Sequence, residues 1–530
     1  LYRLLVTLIL VNVLILALQL PDFPDMHWVT VEAFLVTALF CLIPPGPGRR
    51  LAGYAAGALF GLLALAAIAD ALVRQALGRS LNLYLDASLL GSGHELLQSN
   101  LGYGLALLTV ALGALVIVAL VVLVGRLLDR SGPLRSATRR QALALMAVGV
   151  GLSMLAAAGV PGIGAPAAGW VANQASLALS TAEATDTFRT RMADPGRNAA
   201  SGSLDGLAGR DVILGFVESY GISTLTDARY RTVIDRRLAT MAQSLEAAGL
   251  HVVTGRLSSP VQGGQSWLAH GTLLSGQWVN SQLDYEILLA SDFPTLIDDF
   301  NATGYRTVAV MPAITRAWPE GRLFGYDEIY DATSMDYQGP PLNWVTMPDQ
   351  YTWSWFQSRV REKTDTPLFA ELALISSHAP WVPVLPVLEW DRIGDGSVFE
   401  QWADAGEAPV DLWRDHDRVR DHYVRAVDYA LNVVTGYATR FLDESTLLIV
   451  LGDHQPAPMI TGDDASRDVP VHLISGDQAL LASFLSPRLD GGPDGLPTFR
   501  QGTRPEMTGE ALTMAEFRPF LHRRFGGVRK

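Results

Sequence analysis

The sequence predicts a five-helix transmembrane bundle followed by an α/β domain with a mostly parallel central sheet sandwiched by helices. Three observations carry that expectation. Five long apolar segments fall before residue 165, at 1–20, 28–44, 51–73, 102–125 and 141–161. Beyond residue 210, short apolar runs alternate with amphipathic stretches. Between the halves lies MADPGRNAASGSLDGLAGR, whose Gly, Ala, Ser and Asp content is that of a flexible joint. The expected organisation is a membrane domain at 1–163, a juxtamembrane helix and linker at 164–209, and an outer domain at 210–530.

Each apolar segment is about long enough to cross a hydrocarbon core of ~30 Å, which takes ~20 helical residues. Charges inside them are few: Arg3, Glu32 and Asp70. A signal peptide accounts for the first segment alone, not for five. LLTVALGALVIVALVVLVG is apolar all round, whereas a helix on a soluble core is apolar on one face. Orientation follows from arginines in the loops. The second loop carries Arg49 and Arg50; the fourth carries Arg126, Arg130, Arg135, Arg139 and Arg140. The first, PDFPDMHW, has no Lys or Arg, and the third has only Arg74 and Arg79. Loops two and four are therefore placed in the cytoplasm, and everything after residue 161 outside it. The third loop, 74–101, reads either as an amphipathic surface helix or as a plain interfacial connector.

In the outer half, DVILGFVE (211–218), RTVAVMP (306–312), LFAELALISSH (368–378), TLLIVLGDH (446–454) and VPVHLIS (469–475) read as strands. Helices are expected at 234–248, 292–303, 352–363 and 416–441, with Asp292 capping the second and Gly304 ending it. Strands alternating with helices argue for a mostly parallel sheet covered on both faces. Such sheets bind ligands beyond the carboxyl ends of their strands.

Polar residues at those ends form a pattern. Glu218 ends the first strand, His378 a middle one, and Asp453-His454 a late one. Two carboxylates and an imidazole make an open ligand set for one divalent cation. Ser266, in GGQSWLAHGTLLSG, is a candidate for the remaining ligand, and a cation-bound hydroxyl is an activated nucleophile. His472, inside VPVHLIS, reads as a strand residue rather than a ligand. The net charge of −13 argues against nucleic acid, and the single cysteine, Cys41, excludes an intramolecular disulfide.

DVILGFVESYG, GGQSWLAHGTLLSG, GYRTVAVMPAITRAWPEGRLFGYDEIYD, ISSHAPW and LLIVLGDHQPA, in this order, resemble the alkaline phosphatase/sulfatase superfamily. Within it the chain is most similar to the membrane-anchored branch of lipoteichoic-acid synthases, phosphoglycerol transferases and phosphoethanolamine transferases. The resemblance implies an alkaline-phosphatase-like, extracytoplasmic catalytic domain behind five membrane helices. It implies Glu218, Asp453 and His454 as ligands of one divalent metal (Mn, Mg or Zn), with Ser266 where the family keeps its metal-bound, covalently loaded Thr. It implies that His378 contacts the phosphate or the departing group, and that Trp318 and Arg322 hold the head group, with Arg316 competing for the latter role. Trp318 has a packing role as its alternative.

One departure separates this chain from sulfatases, which carry Cys or Ser, then x-Pro-x-Arg, ahead of a Leu-Leu-Thr-Gly-like end. Aligned on LLSG, the Pro position holds Leu268 and the Arg position His270; a frame from Ser258 has Pro260 but Gln262 in place of Arg. Formylglycine maturation is not expected.

The expected function is therefore a metal-dependent, membrane-bound transfer of a phosphoryl-linked head group from a phospholipid to an envelope glycan or lipid acceptor through covalent Ser266. A phosphate- or sulfate-ester hydrolase and a non-catalytic envelope scaffold are the alternatives. The Arg-rich, Lys-poor composition points to a GC-rich genome and so to the inner membrane of a Gram-negative cell, multi-pass, with a periplasmic catalytic domain.

Overall fold

The computed structural model describes residues 2–19, 26–87, 89–131, 138–194, 202–363, 365–485 and 499–527. Most of the first loop, Arg135 of the fourth, and residues 195–201 of the joint lie outside the described residues. Two compact units divide the chain: Leu1–Gln75 with Arg79–Ala184, and Ala76–Gly78 with Thr185–Lys530.

In the first unit every apolar segment is helical: α1 (Tyr2–Ala17), α2 (Val31–Leu42), α3 (Pro47–Leu77), α5 (Leu89–Ser131) and α6 (Thr138–Ala157). Among the described residues three stretches, Pro47–Leu77, Leu101–Asp129 and Arg139–Ala157, are long and apolar enough to cross a membrane. Of the five expected helices, three are candidate spans and α1 and α2 are shorter apolar helices. At ~1.5 Å per residue, the 12 residues of α2 reach only about 18 Å. Both ends of its segment leave the helix. Val29–Thr30 (β1) pairs in parallel with Ile163–Gly164 (β2), and Ile43, ahead of Pro44 and Pro45, is extended at ψ 122°. The third loop holds the short helix α4 (Leu83–Asp86), and α5 is broken at Gly102 (φ 74°, ψ 158°). A Cβ on Gly57 of α3 would lie 2.7 Å from the Val121 carbonyl oxygen of α5, so glycine lets the two backbones meet. The helix expected after residue 164 is α7 (Pro166–Met192).

In the second unit all five expected strands form, as β3 (Asp211–Val217), β5 (Arg306–Met311), β7 (Leu368–Leu374), β8 (Thr446–Gly452) and β9 (Asp468–Ser475). Four more join them: β4 (His251–Ser258), β6 (Glu328–Asp331), β10 (Phe499–Gln501) and β11 (Leu512–Thr513). The order is β10-β4-β9-β8-β3-β7-β5-β6, with β11 beside β4. β8, β3, β7, β5 and β6 run parallel, whereas β9 is antiparallel to β8 and β4, β10 is antiparallel to β4, and β11 is parallel to β4. The mostly parallel expectation is corrected to a mixed sheet. A parallel return needs a crossover of a dozen or more residues, usually a helix. Between β8 and β9 the chain forms only the four-residue helix Pro458–Thr461, so β9 comes back antiparallel.

Alternation along β3 supplies both faces. Ile213 and Val217 enter one apolar core with the helices Ala228–Ala247 and His416–Phe441. Val212, Leu214 and Phe216 enter the other with Ser266–Ser275, Leu296–Ala302 and Met514–Phe525. The expected cap of Leu296–Ala302 moves from Asp292 to Thr295, whose amide donates to Asp298 at 2.7 Å, because Pro294 separates Asp292 from the helix.

His472 is confirmed as a strand residue of β9. The Thr254 hydroxyl donates to the Gly502 carbonyl at 2.7 Å, so it accepts from His472 Nδ1 at 2.9 Å. Nε2 then accepts from the Tyr220 hydroxyl at 3.0 Å, and burial pushes the pKa from 6.5 down to about 4. The folded state thus binds fewer protons than the unfolded one between those values. Its contribution is complete above the unfolded pKa and is lost as pH falls through the folded one, amounting to about 3 kcal/mol. His472→Gln should flatten the fall in stability between pH 6.5 and 4, measured by urea unfolding at stepped pH.

Candidate active site

Adjacent parallel strands deliver the acidic groups. Val217 of β3 pairs with Gly452 of β8, so Glu218 and Asp453 leave the sheet side by side. A Cβ on Gly452 would lie 2.0 Å from the Tyr220 carbonyl oxygen, which reserves this position for glycine. Ser219, at φ 56°, turns the chain sharply after Glu218 and donates its amide to Asp453 Oδ1 at 2.7 Å. The loop before Ser266 is tied to the one after His454 by a parallel bridge, Gln262 to Gln455, and by the Gly263 amide on the Gln455 carbonyl at 2.8 Å. Ser266 opens the helix Ser266–Ser275.

Glu218, Asp453 and His454 offer ligand atoms that all lie within 4.8 Å of one another, the one such group among the described residues. Ser266 Oγ stands 3.3 Å from Glu218 Oε2 and 3.2 Å from His454 Nε2. His454 Nδ1 lies 2.8 Å from the Gln455 carbonyl, which only accepts, so Nδ1 carries the proton and Nε2 turns a lone pair inward. Asp453 Oδ1 accepts the amides of Ser219 and His454, both at 2.7 Å, and Oδ2 lies 3.7 Å from His454 Nε2.

The charges are strained against one another. Burial pushes Glu218 up but is outweighed by His454, His378 and the Ser219 hydroxyl, which hold it well below the usual carboxylate range. Burial, reinforced by Glu218, pushes Asp453 up. Burial draws His454 down, and the two carboxylates more than reverse that. Two buried carboxylates with an inward imidazole lone pair and a hydroxyl are a donor set that fits one divalent cation.

The other expected residues stand apart from this group. His378 is exposed, with Nδ1 2.5 Å from the Ala379 carbonyl and its ring stacked with Trp344 at 6.5 Å. It acts on Glu218 electrostatically, without a hydrogen bond. Trp318 is half-buried, covers Gly321 and packs on the second core; Arg316 and Arg322 are exposed on the same segment. Among the described residues neither Trp318 nor Arg322 hydrogen-bonds to the group.

Sequence reasoning passed over the supports. Ser377 donates to the Glu218 carbonyl at 2.6 Å. Buried Asp349, pushed up to about 6 by burial, accepts the amides of Ile375 and Ser376 at 2.8 and 2.9 Å and shapes the turn before His378. An acidic residue directly after Pro348 was their one visible signal.

Residues 268–489 match the family model described as Sulfatase, so the resemblance to the alkaline phosphatase/sulfatase superfamily is met there. The matched stretch begins two residues after Ser266 and takes in His378, Asp453 and His454. No curated protein matches the chain. Among solved structures it is similar to the integral membrane lipooligosaccharide phosphoethanolamine transferase A from Neisseria meningitidis, with 13% identity over 94% of this chain and 87% of that one and a TM-score of 0.48. It is similar to a lipoteichoic acid synthase from Listeria monocytogenes, with 13% identity over 62% and 74% and a TM-score of 0.39. A phosphoglycerol transferase from Streptococcus pyogenes, in complex with sn-glycerol-1-phosphate, aligns at 12% identity over 55% and 74%, with a TM-score of 0.35.

Proposed function

We propose that this chain, with its sulfatase-type domain, is a metal-dependent membrane transferase. It moves a phosphoryl-linked head group, of the phosphoglycerol or phosphoethanolamine type, from a phospholipid to an envelope acceptor through covalent Ser266. The observation that carries the reading is Ser266 Oγ lying 3.3 Å from Glu218 and 3.2 Å from His454, in the one group among the described residues with a cation's ligand chemistry.

Glu218, Asp453, His454 and Ser266 would hold the cation, manganese, magnesium or zinc. When bound, it lowers the pKa of a hydroxyl and polarises a phosphoryl oxygen. The chain's own groups do the rest. The Ser266 hydroxyl forms a bond to the donor phosphorus as the bond from phosphorus to the lipid alcohol breaks, and its proton passes to Glu218, whose Oε2 lies 3.3 Å away. The ten-residue helix that Ser266 opens turns its positive end toward the phosphoryl oxygens. His378 protonates the departing lipid alcohol, and Arg322 or Arg316 with Trp318 holds the head group. An acceptor hydroxyl then bonds to the phosphorus and gives its proton to His378 as the bond from phosphorus to Ser266 Oγ breaks, and Ser266 takes its proton back from Glu218.

The three spans support an outer location. Arg49 and Arg50 lie at the start of the first, Arg126 near the end of the second, and Arg139 and Arg140 open the third. With both positions cytoplasmic, the chain after the third span lies outside. There the site would stay near a donor confined to the bilayer.

A hydrolase is the second reading, favoured by the name of the matched model and by half-exposed Ser266, which water reaches. Vesicles of head-group-labelled phosphatidylethanolamine and phosphatidylglycerol, with and without periplasmic glycan, separate the two. Label on the glycan is the expected result. Free head-group phosphate, unaffected by glycan, would establish the hydrolase. Neither product, together with no bound divalent cation, would leave a non-catalytic scaffold.

A further inference from the structure

One turn after Ser266, on the same face of its helix, His270 enters a buried clamp. Its ring stacks on Phe216 of β3, centroids 3.8 Å apart and planes 17° from parallel. Its Nδ1 lies 2.7 Å from Glu371 Oε1, and the Tyr326 hydroxyl donates to the second Glu371 oxygen. The Glu371 side chain is only 1% exposed, in the middle of β7 between β3 and β5. A carboxylate there is costly unless paired, and both its oxygens are engaged.

Ser266 needs such support. As the first residue of its helix it lacks backbone bonds to a preceding turn, and Gln265 gives no side-chain cap. Phe216 lies two residues before Glu218 on the strand that delivers that carboxylate. The His270–Phe216 stack and the Ser266–Glu218 contact are thus two rungs between one helix and one strand. Fixing the first sets the second.

We propose that His270, held by Glu371 and Tyr326, is a positioning residue that sets Ser266 Oγ against Glu218. The proposal rests on the reading of Ser266 as nucleophile. Its substitution by phenylalanine keeps a ring over Phe216 but loses the bond to Glu371. Glu371→Gln keeps the shape, the Tyr326 contact and, with the imidazole in its other tautomer, a hydrogen bond.

The full chain is tested in vesicles of labelled phosphatidylethanolamine and phosphatidylglycerol with manganese. In His270→Phe, kcat should fall ~10–100-fold with KM nearly unchanged, as expected for a misplaced reacting group. Glu371→Gln should recover most of the wild-type rate. Amide hydrogen exchange in 270–274 should quicken about tenfold in His270→Phe and stay near wild type in Glu371→Gln. A raised KM with kcat preserved, or unchanged exchange in His270→Phe, overturns the proposal. Equal losses in both variants overturn it too, because charge rather than position would then matter. If the wild-type protein turns over neither lipid, the transferase reading fails, and hydrogen exchange alone decides the clamp. If His270→Phe does not fold, Glu371→Gln and Tyr326→Phe carry the test: slowed turnover and faster exchange in Tyr326→Phe support the clamp, and wild-type behaviour overturns it.

Discussion

Ser266→Ala is expected to abolish covalent loading of the protein by a phospholipid head group and to cut turnover by about 10³-fold or more. The loss should be chemical, not structural. Alanine is a good helix former, and the helix takes its N-cap from Gln265 without a side-chain bond, so no cap is removed. Stability should stay within about 0.5 kcal/mol of wild type. Ser266→Thr supplies the complementary case, since it keeps a hydroxyl near Glu218 and His454 and should still load. Mass spectrometry of the peptide bearing residue 266, from protein expressed with its native lipids, reads both results. It also reads the species in the wild type, which should be unmodified serine carrying a phosphoryl-linked group, because Leu268 and His270 break the sulfatase modification motif. Persistent loading of the alanine variant would overturn the assignment.

The site was legible where chemistry falls at strand ends. DVILGFVE and TLLIVLGDH are uninterrupted apolar runs stopped by acidic residues, and β3 and β8 indeed place Glu218 and Asp453 together. Strand direction was not legible, because apolar content says how deeply a strand is buried and nothing of how its neighbour runs. HVVTGRLS became β4 although Arg256 breaks its apolar pattern; that arginine is neutralised by Asp468 of β9 at 2.7 Å, a partner 212 residues away. In the membrane half, hydropathy located the five helices but overstated the length of α2. The ends of its segment bond as β1 or stop before prolines while remaining apolar. Glu371 carried a signal that went unread: one carboxylate inside LFAELAL calls for buried hydrogen-bonding partners, and His270 and Tyr326 supply them.

Asp453→Asn should separate the requirements of the fold from those of the chemistry. Asparagine can keep Oδ1 as acceptor for the amides of Ser219 and His454, so the loop after β8 retains both bonds. It replaces Oδ2 by a donor that ligates no cation. Divalent-cation affinity should fall by more than the ~10–100-fold that loss of an outer partner costs, and head-group transfer should fall with it. Stability should move the other way. In the cation-free protein, burial and Glu218 raise the Asp453 carboxyl above its ordinary range. A raised carboxyl contributes stability that is complete below its unfolded pKa and is lost as pH rises through the folded one. At neutral pH the wild-type pair is therefore a burden that asparagine removes, on the order of 1–3 kcal/mol. With a chelator present, Asp453→Asn should unfold at a higher urea concentration than wild type at pH 7.5, and the difference should vanish near pH 4. Adding manganese should reverse the order, because only the wild type gains binding free energy from the cation. A variant less stable than wild type in chelator would mean that Asp453 serves the fold, and the candidate cation site would lose its best-placed ligand.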